Sequence, residues 1–121
     1  MTKVLVVDDS PTEIFHFREL LEKLGYEVIT AENGRDGVAM ATAEQPDVVL
    51  MDIVMPDMNG FQATRQICRG ATTSHIPVII VSSKDQETDK VWGQRQGASG
   101  YLTKPVDVDT LLSVMKSLIT Q

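Results

Sequence analysis

Five side chains could share one piece of chemistry: Asp8, Asp9, Asp52, Ser82 and Lys104. The most oddly placed is Asp52. It follows the apolar run Val48-Val49-Leu50-Met51 and precedes Ile53-Val54-Met55-Pro56. Such a run reads as a strand buried on both faces. Asp is a poor strand former, and burying its charge is costly unless it is paired or bound to metal. Asp52 is therefore expected at the carboxyl end of its strand, at the mouth of a site. Asp8 and Asp9 follow a second apolar run, Lys3 to Val7. Ser82-Ser83 and Lys104 follow two more.

Gathered in one cleft, three carboxylates repel one another, and one becomes hard to ionise unless a cation intervenes. Oxygen ligands without His or Cys suit a hard cation such as Mg²⁺, which keeps several waters. Phosphoryl transfer asks for little beyond positioning and neutralisation of spreading charge. Mg²⁺ and Lys104 would neutralise it, and the Ser82 hydroxyl would hydrogen-bond a phosphoryl oxygen. Asp52 would be the nucleophile, giving an aspartyl phosphate. Each signal alone is weak. Asp-Asp after a strand is usually a turn or helix cap. Ser82-Ser83 reads as a loop, and Lys104-Pro105 says nothing by itself. Capping does not explain why they fall together at the ends of four strands.

The elements that must hold these residues are legible in order. Lys3 to Val7 is a strand. Ser10-Pro11-Thr12-Glu13 starts a helix, with Ser10 as N-cap, Pro11 in the first helical position and Glu13 completing a capping box. Ile14, Phe17, Leu21 and Leu24 form its inward stripe, and Gly25 ends it. Glu27 to Ala31 is a second strand. A helix opens at Asn33-Gly34, turns Val38 and Ala41 inward and stops before Pro46. Asp47 to Met51 is the third strand. The next helix starts near Asn59 and carries Phe61, Thr64, Ile67 and Cys68. Gly70 to His75 is a polar loop, and Pro77 to Val81 is the fourth strand. Asp85 is expected to cap a helix from Gln86 to Gln96, closed by Gly97. Ser99 to Thr103 is the fifth strand. Val108, Leu111, Leu112, Met115, Leu118 and Ile119 mark the last helix.

Strict alternation with short connections calls for a parallel sheet with helices on both faces. The first, third and fourth strands are apolar throughout and belong in the centre, which leaves the second and fifth at the edges. That gives the order 2-1-3-4-5, an α/β, flavodoxin-like doubly wound fold. Ligands of such sheets bind outside the strands' carboxyl ends where the strand order reverses, here between the first and third strands.

Composition narrows the function further. At 121 residues, with 42% hydrophobic residues, the chain makes one domain with a real core. The net charge is −6 and the eleven basic residues are scattered without a visible stripe. That argues against nucleic acid and for a protein partner. The single cysteine, Cys68, excludes an internal disulfide and fits a reducing compartment. There is no signal-peptide pattern and no apolar run long enough to span a bilayer. A cytoplasmic protein without membrane insertion is expected.

The chain resembles a bacterial response-regulator receiver domain over essentially all of residues 1–121. The resemblance rests on Val6-Val7-Asp8-Asp9-Ser10, on Met51-Asp52-Ile53-Val54-Met55-Pro56-Asp57-Met58-Asn59-Gly60, on Pro77-Val78-Ile79 leading to Ser82, on Gly97-Ala98, and on Tyr101-Leu102-Thr103-Lys104-Pro105. It implies that Asp52 is the phosphoacceptor, served by the phosphohistidine of a histidine kinase. Asp9, Asp52 and the backbone carbonyl of Val54 would hold Mg²⁺ directly, with Asp8 acting largely through water. Ser82 would be the switch hydroxyl and Tyr101 the switch aromatic, and the Lys104-Pro105 bond would be cis. Phosphorylation would draw Ser82 in, Tyr101 would follow, and a partner would read the face of the fourth helix, fifth strand and fifth helix. Asp8-Asp9-Ser10-Pro11-Thr12-Glu13, residues 59–66 and residues 84–93 look like PilH-type regulators, which belong to chemotaxis-like systems controlling type IV pili and twitching motility. Val54 and Lys84 depart from many members at positions that meet the attacking water, which bears on phosphoryl lifetime.

No output domain is expected after the last helix, so a stand-alone monomeric switch is the leading expectation. The alternatives are a phosphate sink competing for a shared kinase, or a different chemotaxis-like pathway. A dehalogenase-type phosphatase would need a second Asp where Val54 stands, and a flavin site would be repelled by Asp8-Asp9. A degenerate scaffold would lack one of the key residues. His16 and His75 lie outside the cluster, and Cys68 reads as core. Trp92 reads as core or as part of the output face. Gly93, in mid-helix, points to close packing or local mobility, and the methionines read as gap fillers.

Overall fold

The computed structural model describes residues 1–119; Thr120 and Gln121, at the end of the expected domain, lie outside the described residues. Strands β1 (Lys3–Val7), β2 (Glu27–Ala31), β3 (Val48–Met51), β4 (Val78–Ser82) and β5 (Gly100–Thr103) alternate with five helices. These are α1 (Pro11–Lys23), α2 (Gly34–Glu44), α3 (Gly60–Arg69), α4 (Glu87–Arg95) and α5 (Val108–Ile119). All strand pairs are parallel and the order is β2-β1-β3-β4-β5, as the apolar runs predicted.

Alternate strand residues face opposite sides of the sheet, so each strand feeds two cores. Val4 and Val6 pack with Phe17 and Leu21 of α1 and Leu111 and Met115 of α5. Leu5 and Val7 pack with Ala41 of α2 and Ala63 and Ile67 of α3. Each fully buried Leu or Ile among them contributes about 1.5–3 kcal/mol relative to exposure. Among the described residues no helix is long and apolar enough to cross a membrane.

The differences from the sequence reading are local. Leu24 is 49% exposed, because α1 ends at Lys23 and Leu24 becomes its C-cap. The α1 capping box is half made. Ser10 Oγ accepts from the Glu13 N–H at 3.3 Å, but the Ser10 N–H donates to Asp8 Oδ1 at 2.9 Å. Asp85 does not cap α4. Gln86 holds that place, and its N–H donates to Asp89 Oδ2 at 3.2 Å. Asp47 lies just outside β3, and its carboxylate accepts from the Lys3 N–H at 2.7 Å. Trp92 is 49% exposed, and the inner face of α4 is formed by Gly93. A Cβ on Gly93 would come within 2.8 Å of Ile80 Cδ1 and 3.3 Å of the Tyr101 ring. The missing side chain lets α4 lie close on β4 and β5. Cys68 is half-buried, and its thiol meets the Gly97 carbonyl at 3.4 Å.

Candidate functional site

The sheet delivers its polar residues one strand at a time. The Asp8 N–H extends the β1–β2 ladder to the Ala31 carbonyl at 3.1 Å, and the Asp52 N–H reaches the Val7 carbonyl at 2.9 Å. The Lys104 N–H bonds the Ser82 carbonyl at 2.9 Å. Each functional side chain is thus fixed by backbone pairing at the carboxyl ends of β1, β3 and β5. They border an open cleft of about 490 Å³ lined by Asp8, Asp9, Asp52, Val54, Lys104 and Pro105, with Ser10, Glu13 and Ser83.

Lys104 bridges the buried Asp8 and the half-buried Asp52. Its Nζ lies 3.0 Å from Asp8 Oδ2, 3.5 Å from Asp52 Oδ1 and 3.9 Å from Glu13 Oε1. Asp8 is 3% exposed and accepts on both oxygens, from Lys104 and from Ser10. Burial works against the Lys104 charge. The Asp8 hydrogen bond and the charges of Asp52, Asp8 and Glu13 outweigh it and hold its pKa above the ordinary lysine value. Burial, then the Asp8 charge, pushes the Asp52 carboxyl above the usual carboxylate range, although Lys104 pulls it down.

The sign for stability follows. The folded state binds the Asp52 proton more tightly than the unfolded chain does, so ionised Asp52 costs stability. The cost is absent below the unfolded carboxylate range and complete once pH has risen past the folded value. Asp52→Asn should therefore stabilise the metal-free protein at pH 7 by about 1 kcal/mol. Urea unfolding in EDTA should show that gain fading as the pH falls through the carboxylate range. An equal or lower urea midpoint at pH 7 would contradict it.

One oxygen each from Asp8, Asp9 and Asp52 lie within 4.8 Å of one another. An all-oxygen, carboxylate-rich set of this size fits a hard divalent cation. Val54 is 60% exposed beside it on the cleft wall.

Ser82 is set back from the cleft. It is the last residue of β4, fully buried, and absent from the cleft wall, where Ser83 stands instead. Its Oγ accepts from the Lys84 N–H at 3.2 Å. Tyr101 lies half-buried on β5, and its hydroxyl donates to the Lys84 carbonyl at 2.6 Å. Burial, then the Asp89 charge, raises its pKa. The Lys104-Pro105 peptide is cis. Neither His16 nor His75 lines the cleft, although His16 borders an adjoining cavity with Glu13, Lys104 and Pro105. Glu13 is a cleft residue that the sequence reading missed, whereas Ser83 was placed with Ser82 at the end of the fourth strand. Glu13 looked like a cap, but its position one turn after Asp9 was the available signal.

Residues 4–116 match the response regulator receiver domain model. The chain is 64% identical to Protein PilH of Pseudomonas aeruginosa over 98% of each chain. It is 39% identical to Protein PilG of the same organism, over 95% of this chain and 85% of that one. Among solved structures, Vibrio cholerae chemotaxis protein CheY4 superimposes with a TM-score of 0.90 at 33% identity, over 98% of each chain. The acidic cleft thus sits in a chain matched nearly end to end, and the protein belongs to the response-regulator receiver family of two-component signalling.

Proposed function

We propose that Asp52 accepts a phosphoryl group from the phosphohistidine of a histidine kinase, and that the phosphorylated chain signals through α4, β5 and α5. The observation that carries this reading is the Asp52 carboxylate itself. It lies where the strand order reverses, 3.5 Å from Lys104 Nζ and grouped with Asp8 and Asp9. In the transfer, an Asp52 oxygen bonds phosphorus as the phosphorus–nitrogen bond breaks and its electron pair leaves on the imidazole. Mg²⁺, when bound, would neutralise charge on the phosphoryl oxygens. Asp9, Asp52 and the Val54 carbonyl would hold it directly. Both Asp8 oxygens already accept hydrogen bonds, which supports a role through water for that residue. Lys104 would shift its charge toward the new phosphoryl group.

Ser82 and Tyr101 both bind the Lys84 residue, one at its N–H and one at its carbonyl. A Ser82 hydroxyl turned toward a phosphoryl oxygen gives up the Lys84 N–H, and the loop that holds Tyr101 is then free to move. Output goes to a protein target in the cytoplasm, with the chain acting as a monomer. The 64% identity to PilH supports a place in chemotaxis-like control of type IV pilus motility.

The test is incubation of the full chain with Mg²⁺ and acetyl phosphate, followed by intact mass. One added phosphoryl group per chain is expected, absent without Mg²⁺ and in Asp52→Asn. No adduct with either acetyl phosphate or a phosphorylated kinase would overturn the reading.

A further inference from the structure

The basic residues look scattered along the sequence, yet the fold gathers three of them. Arg35 of α2 and Arg65 and Arg69 of α3 line one groove of about 770 Å³ with Asp57, Met58, Gln62 and Gln66. Asp57 is the one carboxylate there, so two positive charges stand in excess on a chain of net charge −6. All three guanidinium groups belong to exposed residues, and among the described residues none has an ion-pair or hydrogen-bond partner.

Stability does not explain the placement. Arg35 lies in the first turn of α2, where the helix dipole disfavours a cation. Arg65 and Arg69 are four apart on α3, where like charges repel. Only Arg69, in the last turn of α3, gains from the dipole. Arg is suited to bidentate capture of carboxylates, and Met58 adds an adaptable apolar contact on the groove wall.

We propose that the α2–α3 groove docks an acidic segment of a protein partner, with carboxylates one helical turn apart paired to Arg65 and Arg69 and a third group on Arg35. Charge complementarity selects this occupant. The remaining surface is acidic enough to repel a long polyanion such as nucleic acid, whereas a short segment fits within the groove. The groove is separate from α4, β5 and α5, so this partner and one on that face can bind together. The proposal does not depend on phosphorylation. Through Met58 the groove adjoins the loop that follows Asp52. A Cβ on Gly34 of α2 would come within 2.6 Å of the Met58 carbonyl, which shows how tightly α2 is set against that loop.

The test titrates the isotope-labelled full chain with a helical peptide bearing glutamates one turn apart, alongside a copy with Gln at those positions. Arginine side-chain NMR signals report the binding. The expected result is shifts at Arg35, Arg65 and Arg69 with the Glu peptide only, weakening with salt. Affinity should fall on the order of tenfold in Arg65→Gln/Arg69→Gln. Both substituted residues are exposed, so the variant should keep the wild-type melting temperature and acetyl phosphate labelling. Equal binding of the Gln copy, unchanged affinity in the variant, or no shift at the three arginines would overturn the proposal. So would inorganic phosphate or a short DNA duplex displacing the peptide at lower concentration.

Discussion

Replacing Lys104 with Ala should destabilise the metal-free protein at pH 7 by about 2–3 kcal/mol. Breaking a buried ion pair from one side costs about 3–5 kcal/mol, because the remaining charge is left without compensation. The Lys104 side chain is 18% exposed and Asp52 is 12%, so solvent screening lowers that range. Asp8 and Asp52 would then face each other across the cleft, eased only by the Ser10 N–H on Asp8 and the Ile53 N–H on Asp52. Without Lys104 the Asp52 carboxyl would bind its proton still more tightly in the folded state, so part of the lost stability should return as pH falls toward the carboxylate range. Asp8→Asn in the Lys104→Ala background should restore much of it at pH 7, a non-additivity that a double-mutant cycle measures directly. The wild type should show the opposite limb. Its raised Lys104 value contributes stability that is complete below the ordinary lysine range and is lost as pH rises through the folded value. Urea midpoints for the four proteins across pH decide the matter, and a Lys104→Ala midpoint equal to wild type at pH 7 would refute the account.

Gly60→Ala should be more damaging still. A Cβ at Gly60 would sit 1.9 Å from the Asp52 carbonyl oxygen and 2.8 Å from the Ile53 Cα. Both obstacles are backbone, and no rotamer change relieves them. The Gly60 N–H also bonds the Ile53 carbonyl at 2.9 Å, so the first turn of α3 cannot back away without losing that contact. The loss should exceed about 3 kcal/mol. Where the variant folds, Asp52 must shift and acetyl phosphate labelling should fall with it. Gly25→Ala is the matched control. Gly25 has φ of +93° with nothing within 4 Å, so only backbone strain applies. That strain costs about 1–2 kcal/mol and lies far from the cleft, so labelling should be unchanged. Equal destabilisation of the two variants would show that close approach to Asp52 is not what demands Gly60.

The sheet was legible because its signal is one-dimensional. Val4 to Val7, Val48 to Met51 and Val78 to Val81 are continuous apolar runs, and such runs in a parallel sheet belong in the centre. The site followed, because residues that end parallel strands must share an edge. The details that escaped are those where a side chain chose between a local and a distant partner. Glu13 had a helix cap available and turned toward Lys104, and Asp8 took its place at the Ser10 N–H. Ser82 could have lined the cleft, but β4 runs one residue further and the Lys84 N–H holds its hydroxyl. The arginine groove was invisible for the same reason. Arg35 and Arg65 line one groove only because α2 and α3 are neighbours on one side of the sheet. Composition had suggested that no such patch exists.

The Lys104–Asp8 bond spans 96 positions of the chain, and this sets an order for biosynthesis. A ribosome completes Asp8, Asp9 and Asp52 before it reaches Lys104. A nascent chain that pairs β1 with β3 early therefore concentrates its carboxylates with no lysine to offset them. Like-charge repulsion at that stage would disfavour the pairing, and β5 brings the counter-charge with it. The residue that neutralises the finished cleft would thereby couple its closure to β5, the last strand to be made.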